Sequence, residues 1–310
     1  MTEIEISVVV PVYGCPDALP ELHRRLVDTL SRMKTSYEII LVDDYCPYGS
    51  WPIIRKICEQ DKLVKGIHLS KNFGQGRAIT AGVAEANGKW IITMDCDLQD
   101  SPEMIPDLYM KANEGYDIVF VRRKDRKDSK MTQLWAKLYH KTFTYLSEVN
   151  FDFDLATYLI SSRRAAEQFL ASKDRGRDYG MYLMWLGYEH AFIDMEHGER
   201  HSGKSSYTFV KKMKYAVGIM TGYSNRILYI PIYFGLASAI VSVFYLIYVF
   251  YLHFCLNVNP EGWTTIVASI FLFGGLILST LGTIGVYLGN VYEIGKDRPL
   301  FVIQEKMNCD

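Results

Sequence analysis

Two stretches near the C-terminal end, Ile227–Leu256 and Thr264–Tyr292, contain no Asp, Glu, Lys or Arg. A helix of roughly 20 apolar residues crosses the hydrocarbon core of a bilayer, and each stretch is longer than that. The alternative setting for such a helix is the buried core of a soluble protein, but two adjacent uncharged runs of this length point to a transmembrane hairpin within 226–295. Gly274, Gly275, Gly282, Gly285 and Gly289 give the second run small-residue faces suited to close helix contact in lipid and to self-association. The connection Asn257–Trp263 has no Lys or Arg, whereas Lys211, Lys212, Lys214 and Arg226 precede the hairpin and Lys296 and Arg298 follow it. The positive-inside rule therefore expects both flanks in the cytoplasm and the short loop outside. Two helices enclose no pathway by themselves, so the expectation is a membrane-anchored enzyme and not a transporter.

The preceding sequence has a different pattern. Ile6–Val12, Tyr37–Val42, Val64–Leu69, Trp90–Met94 and Asp117–Val121 are short β-rich runs. Segments with helical spacing lie at Asp17–Met33, Gln75–Glu85 and Pro102–Ala112. Continuous apolar strands alternating with helices are buried on both faces, which predicts an α/β fold around a mostly parallel sheet. The expected organisation is a catalytic domain over 1–205, an interfacial amphipathic helix over 206–225, the hairpin (about 227–256 and 264–292) and a cytosolic tail over 296–310.

Composition excludes some classes. Lys and Arg number 34 against 35 Asp and Glu, so the chain is not a nucleic-acid binder working by bulk positive charge. The six cysteines (Cys15, Cys46, Cys58, Cys96, Cys255 and Cys309) include no CxxC pair and show no zinc-ligand spacing. They read as free thiols in a reducing cytosol. The N-terminal MTEIEISVVVPVYG has two acids before its apolar run and no basic n-region, the pattern of a domain that stays in the cytoplasm.

Ligands of parallel α/β sheets bind beyond the carboxyl ends of the strands, and the candidate residues of this sequence collect there. Asp95 and Asp97, in Met94-Asp95-Cys96-Asp97-Leu98-Gln99-Asp100, directly follow the fourth strand run. Alternate residues of an extended segment face the same way. Two hard carboxylates at such a position suit Mg²⁺ or Mn²⁺, above all when a diphosphate supplies further ligands. Asp43 and Asp44 end the second strand run, either as turn acids or as acceptors for a base or ribose. Pro11 and Tyr13 end the first, where an aromatic ring could lie against a base. The histidines show no ligand spacing, and Tyr182 and Trp185 read as core.

Taken together, VVVPVYG (8–14), LVDD (41–44), LSKNFGQGRAITAG (69–82) and MDCDLQDSPE (94–103) resemble family 2 glycosyltransferases of the GT-A fold. RHSGKSSY (200–207) followed by a two-helix hairpin narrows the resemblance to polyprenyl-phosphate glycosyltransferases, among them bactoprenol glucosyltransferases, aminoarabinose-type transferases and dolichol-phosphate mannose synthases. The resemblance implies that Pro11, Tyr13, Asp43 and Asp44 hold the nucleotide of a UDP-sugar and that Asp95 meets its ribose or diphosphate. It implies further that Asp97 and Gln99 complete the shell of a Mg²⁺ or Mn²⁺ ion, and that Arg122, Arg200, Lys204, Ser205 and Tyr207 receive the acceptor phosphate. The implied reaction is inverting transfer of one sugar to undecaprenyl phosphate by a multi-pass protein of the bacterial plasma membrane. Two departures stand out, and the second bears on the donor sugar. Tyr45-Cys46 stands where the family commonly has Gly-Ser, and Leu155-Ala156-Thr157-Tyr158 stands where relatives often carry Gly-Asp-Phe-Arg, with Asp152 or Asp154 as possible replacements. Other donor sugars (an amino sugar, mannose or a modified arabinose) and a non-catalytic nucleotide-sugar-binding scaffold are the alternative readings. The absence of Gln-x-x-Arg-Trp argues against a processive polymerase.

Overall fold

A computed structural model describes residues 4–124, 144–146, 155–172, 178–196, 224, 226–256 and 262–309. These form two compact units, the first holding the sheet and the second the long C-terminal helices.

The first unit is an eight-stranded sheet covered on both faces. Its strands are β1 (Ile6–Val12), β2 (Tyr37–Asp43), β3 (Val64–Leu69), β4 (Trp90–Thr93), β5 (Ile118–Lys124), β6 (Leu155–Ser162), β7 (His190–Glu196) and β8 (Ile303–Met307). They lie in the order β7-β5-β6-β4-β1-β2-β3-β8. The four strands β3, β2, β1 and β4 run parallel, with Val12 opposite Asp43 and Val9 opposite Thr93. The β6 strand pairs antiparallel to both β4 and β5, β7 runs parallel to β5, and β8 closes the other edge antiparallel to β3.

Strand alternation sorts the core onto two faces. Val8, Val10, Val12, Ile39, Leu41 and Ile92 pack with α1 (Leu19–Met33), α2 (Ser50–Gln60) and α4 (Ile105–Ala112). Val9, Ile40, Val42, Ile67 and Ile91 pack with α3 (Gln75–Glu85), α5 (Arg163–Ala171) and α6 (Tyr179–Trp185). In α1 the buried Leu19, Leu22, Leu26 and Leu30 recur every three or four residues, which makes one apolar stripe. Every residue of β1 is buried, and each of its large apolar side chains contributes roughly 1.5–3 kcal/mol.

The second unit contains α7 (Arg226–Leu256) and α8 (Trp263–Gly295), 31 and 33 residues long. At 1.5 Å per residue each exceeds about 45 Å, and both contain windows long and apolar enough to cross a membrane. Within α8, Thr280 Oγ1 donates to Leu276 O at 2.8 Å and Thr283 Oγ1 to Ser279 O at 3.0 Å, so neither hydroxyl is left without a partner in an apolar setting. The helices touch each other. A Cβ at any of the α8 glycines would meet nothing within 4 Å among the described residues.

Several readings change in the structure. The tail expected over 296–310 contributes β8, and Trp51 Nε1 donates to its Glu305 at 3.0 Å. Tyr182 is core, as expected, but Trp185 is about half exposed. Residues 197–223, with Arg200, Lys204, Ser205, Tyr207 and most of the expected interfacial helix, lie outside the described residues, as do Asp152 and Asp154.

The approach of α3 to β1 depends on Gly82, where a Cβ would stand 2.3 Å from Val9 Cγ1 and 3.0 Å from Val42 Cγ2. Gly82→Ala overpacks this contact, at a cost of about 1–3 kcal/mol. Thermal unfolding of detergent-solubilised protein should show a melting point lowered by several degrees; an unchanged one contradicts the contact.

Candidate active site

The parallel strands β1, β2, β3 and β4 end along one edge of the sheet, and Tyr13, Asp43, Asp44, His68, Asp95 and Asp97 gather there. Tyr13 follows β1 with its ring about half exposed, open for contact, whereas Pro11 is buried within the strand.

Asp43 lies opposite His68 in the parallel register, so the two side chains share a face. Asp43 Oδ2 stands 2.6 Å from His68 Nδ1, and Oδ1 accepts the Cys46 N–H at 3.2 Å. The His68 ring lies nearly parallel to Trp51 at 5.0 Å and to Tyr45 at 5.7 Å. Trp51 reaches on to Glu305 of β8, so a chain of contacts joins Asp43 to the edge of the sheet. His68 has no motif around it in the sequence. Only strand register brings it to Asp43.

Asp44 organises the next loop. Its carboxylate accepts the Phe73 N–H at 2.7 Å and the Gly74 N–H at 2.9 Å, and its backbone oxygen accepts from Asn72 Nδ2 at 3.3 Å. Gly74, at φ +93°, takes a conformation that favours glycine and leads into α3. Asp43 and Asp44 are both almost completely buried. Burial raises both carboxyls above the usual Asp range, against the lowering effect of the N–H donors and, for Asp43, of His68. The folded state therefore holds their protons to higher pH than the unfolded chain, so their ionisation subtracts from stability as pH rises from about 4 through the raised values.

After β4, burial alternates. Asp95 and Asp97 are half-buried, while Cys96 between them turns into the core. Asp95 Oδ1 accepts from Gln75 Nε2 at 2.6 Å, and Asp97 Oδ1 accepts the Gln99 N–H at 3.1 Å. Leu98, at φ +64°, sits in the left-handed region at the centre of this turn, a strained position of the kind found at functional sites. Gln99 is buried. Asp100, not singled out from sequence, is fully buried and accepts the Asp95 N–H at 3.0 Å, which closes the turn. Below it, Tyr158 donates to Ser101 O at 2.9 Å from a fully buried position, and burial pushes its phenol well above the usual range.

Among the described residues no three His, Cys, Asp or Glu side chains form a ready-made metal cage. Asp95 and Asp97 supply two carboxylates, the number Mg²⁺ commonly takes when substrate phosphates and water complete its shell. The donor set thus fits a hard divalent cation that arrives with a diphosphate. Arg122 lies in β5 with its guanidinium over the Phe192 ring, 4.5 Å from the centroid, which orients the cation.

The expectation of free thiols fails at this edge of the sheet. Cys15 and Cys96 are joined by a disulfide, because the adjacent strands β1 and β4 bring their Cα atoms to 6.4 Å across 81 residues of sequence.

Comparison with known proteins agrees with this architecture. Residues 7–172 match glycosyl transferase family 2, and the chain belongs to that family. It is 30% identical to the undecaprenyl-phosphate 4-deoxy-4-formamido-L-arabinose transferase of Proteus mirabilis, over 97% of this chain and 93% of that one. It is 27% identical to the bactoprenol glucosyl transferase of Shigella phage SfV, over 98% and 99%. Among solved structures it is similar to mannosyl-3-phosphoglycerate synthase from Rubrobacter xylanophilus, with a TM-score of 0.51 and 16% identity over 70% of this chain and 72% of that one. The fold is GT-A.

Asp44→Ala removes the acceptor for two backbone N–H groups. Amide hydrogen exchange at Phe73 and Gly74 should accelerate by about tenfold or more, as expected for loss of charge-assisted hydrogen bonds. Because burial raises the Asp44 carboxyl in the closed loop, opening becomes harder and not easier as pH falls through the raised value towards about 4, so wild-type protection, corrected for intrinsic exchange, should not drop over that range. Unchanged protection in the variant contradicts this role.

Proposed function

We propose that this member of glycosyl transferase family 2 moves one sugar, with inversion, from UDP-glucose to undecaprenyl phosphate or a similar polyprenyl phosphate. The observation that carries the proposal is the placement of Asp95 and Asp97 at the carboxyl end of β4, in line with the ends of β1 and β2, in a chain that also has two bilayer-length apolar helices.

In this reading Tyr13 offers its ring to the base, and Asp43 and Asp44 hold the two loops that flank the nucleotide. Asp95 and Asp97, with Gln99 beside them, hold the diphosphate through Mg²⁺ or Mn²⁺. The ion's contribution, when bound, is to neutralise the charge that develops as the nucleoside diphosphate departs. Gln75 and Asp100 keep the Asp95 side chain and backbone in place before substrate arrives. The acceptor is an ionised phosphate monoester, already a nucleophile near neutral pH, so no general base is required. Donor and acceptor are both anions, and Arg122, Arg200, Lys204, Ser205 and Tyr207 supply the cations and hydrogen-bond donors that bring them together.

A lipid acceptor accounts for the two apolar helices, and the charge asymmetry of their flanks supports a reading with both termini and the catalytic unit in the cytoplasm. The bactoprenol glucosyl transferase among the relatives supports glucose. A second reading, a modified arabinose or another donor sugar, is favoured by the Proteus relative and by the unusual Leu155–Tyr158 segment.

Asp97→Ala should retain its fold, judged by circular dichroism. Sugar transfer should fall roughly a hundredfold or more, since metal-borne charge stabilisation is worth several kcal/mol. Chelation of divalent ions should abolish wild-type transfer, and added Mg²⁺ or Mn²⁺ should restore it. Full transfer by a folded Asp97→Ala protein contradicts the assignment.

A further inference from the structure

We propose that Cys15 and Cys96 form a redox-modification site that sets the order, and hence the affinity, of the donor pocket. Cys96 is the residue between Asp95 and Asp97, and Cys15 lies two residues beyond Tyr13. Their disulfide fastens the segment after β1 to the segment after β4, the two pieces of chain that carry the exposed aromatic ring and the paired carboxylates. The Cα separation of 6.4 Å lies within the range that a disulfide spans without backbone movement. Both sulfurs belong to the core on one face of the sheet, so the bond is made behind the site and leaves Asp95 and Asp97 half-buried at its surface.

A third thiol stands close by. Cys46, unbonded and half-buried, accepts the Gly14 N–H at 3.2 Å, one residue from Cys15, and its own N–H donates to Asp43. Three of the six cysteines thus cluster at the one edge where the candidate ligand-binding residues collect.

The redox step balances with a small-molecule disulfide as oxidant. One cysteine attacks the oxidant, releases one thiol and keeps the other half as a mixed disulfide. The second cysteine then attacks the first, releases the second thiol and closes the Cys15–Cys96 bond. Two thiol hydrogens leave the protein on two product thiols, and one disulfide is consumed. A small thiol reductant runs the sequence backwards. Both cysteines are almost fully buried, so exchange proceeds through local opening of the two segments. Closing the bond removes conformational freedom from both segments, and a site ordered before its ligand arrives binds more tightly.

The bond and its ordering effect stand on geometry. That the ordered pocket takes a nucleotide donor, and with it the choice of UDP as probe, rests on the proposed function. Full-length protein in detergent is equilibrated with oxidised or reduced glutathione, trapped with an alkylating reagent and mapped by mass spectrometry. Binding of UDP with Mn²⁺ and hydrogen exchange over 12–18 and 94–100 are measured on the same samples. Cys15 and Cys96 should lose and regain label together. Reduction should weaken UDP binding by about fivefold or more, the low end of ordinary coupling between sites. Cys15→Ser should behave as the reduced form under both conditions. If neither form binds UDP, the donor reading fails and hydrogen exchange decides: slower exchange in the oxidised form supports the proposal, and equal exchange overturns it. Full labelling of both cysteines under oxidant, a Cys15–Cys46 bond in place of Cys15–Cys96, or equal UDP affinity in the two forms also overturns it.

Discussion

The parallel register of β1 between β2 and β4 determines where the polar chemistry of this chain can lie. These strands are buried on both faces, so the side chains that must meet water or ligand are confined to the strand ends. Val12 is level with Asp43 and Val9 with Thr93. The segments that follow therefore emerge side by side, and Tyr13, Asp43, Asp44, Asp95 and Asp97 meet although they are spread over more than eighty positions. The disulfide between Cys15 and Cys96 is a consequence of the same register, as is the Asp43–His68 contact on the next strand pair.

The buried acids at this edge divide their work. Asp43, Asp44 and Asp100 are almost or fully enclosed, and their oxygens accept backbone N–H groups or meet a histidine ring. Burial of a charged group is costly unless hydrogen bonds compensate, and here those bonds define the loops. Asp95 and Asp97 keep more solvent contact.

Much of this was legible in the sequence, for reasons that can be named. The runs that became β1 to β4, and the helices α1 and α3, carry continuous or periodic apolar patterns, so local chemistry announced them. The paired Asp95 and Asp97 stood out because they directly follow a buried run. His68 was not legible, because a histidine within a strand gains meaning only from the neighbour across the sheet. The edge strand β8 was missed for a similar reason: Ile303-Gln-Glu-Lys-Met307 is polar on one side, and its pairing with β3 lies more than two hundred residues away in the chain. Cys15 and Cys96 likewise show no spacing motif, and only adjacency of β1 and β4 pairs them. The α8 glycines were legible as small faces, but which surface they meet is not a property of the helix alone.

The account stands on one reaction, transfer of a sugar from a nucleotide donor to a polyprenyl phosphate. The direct measurement is incubation of detergent-solubilised full-length protein with Mg²⁺, undecaprenyl phosphate and, one at a time, a panel of radiolabelled nucleotide sugars, followed by counting of label in the lipid phase. The account predicts that label from UDP-glucose enters the lipid and that none enters when the polyprenyl phosphate is left out. Failure of every donor to label the lipid, from protein that still binds UDP, would contradict it.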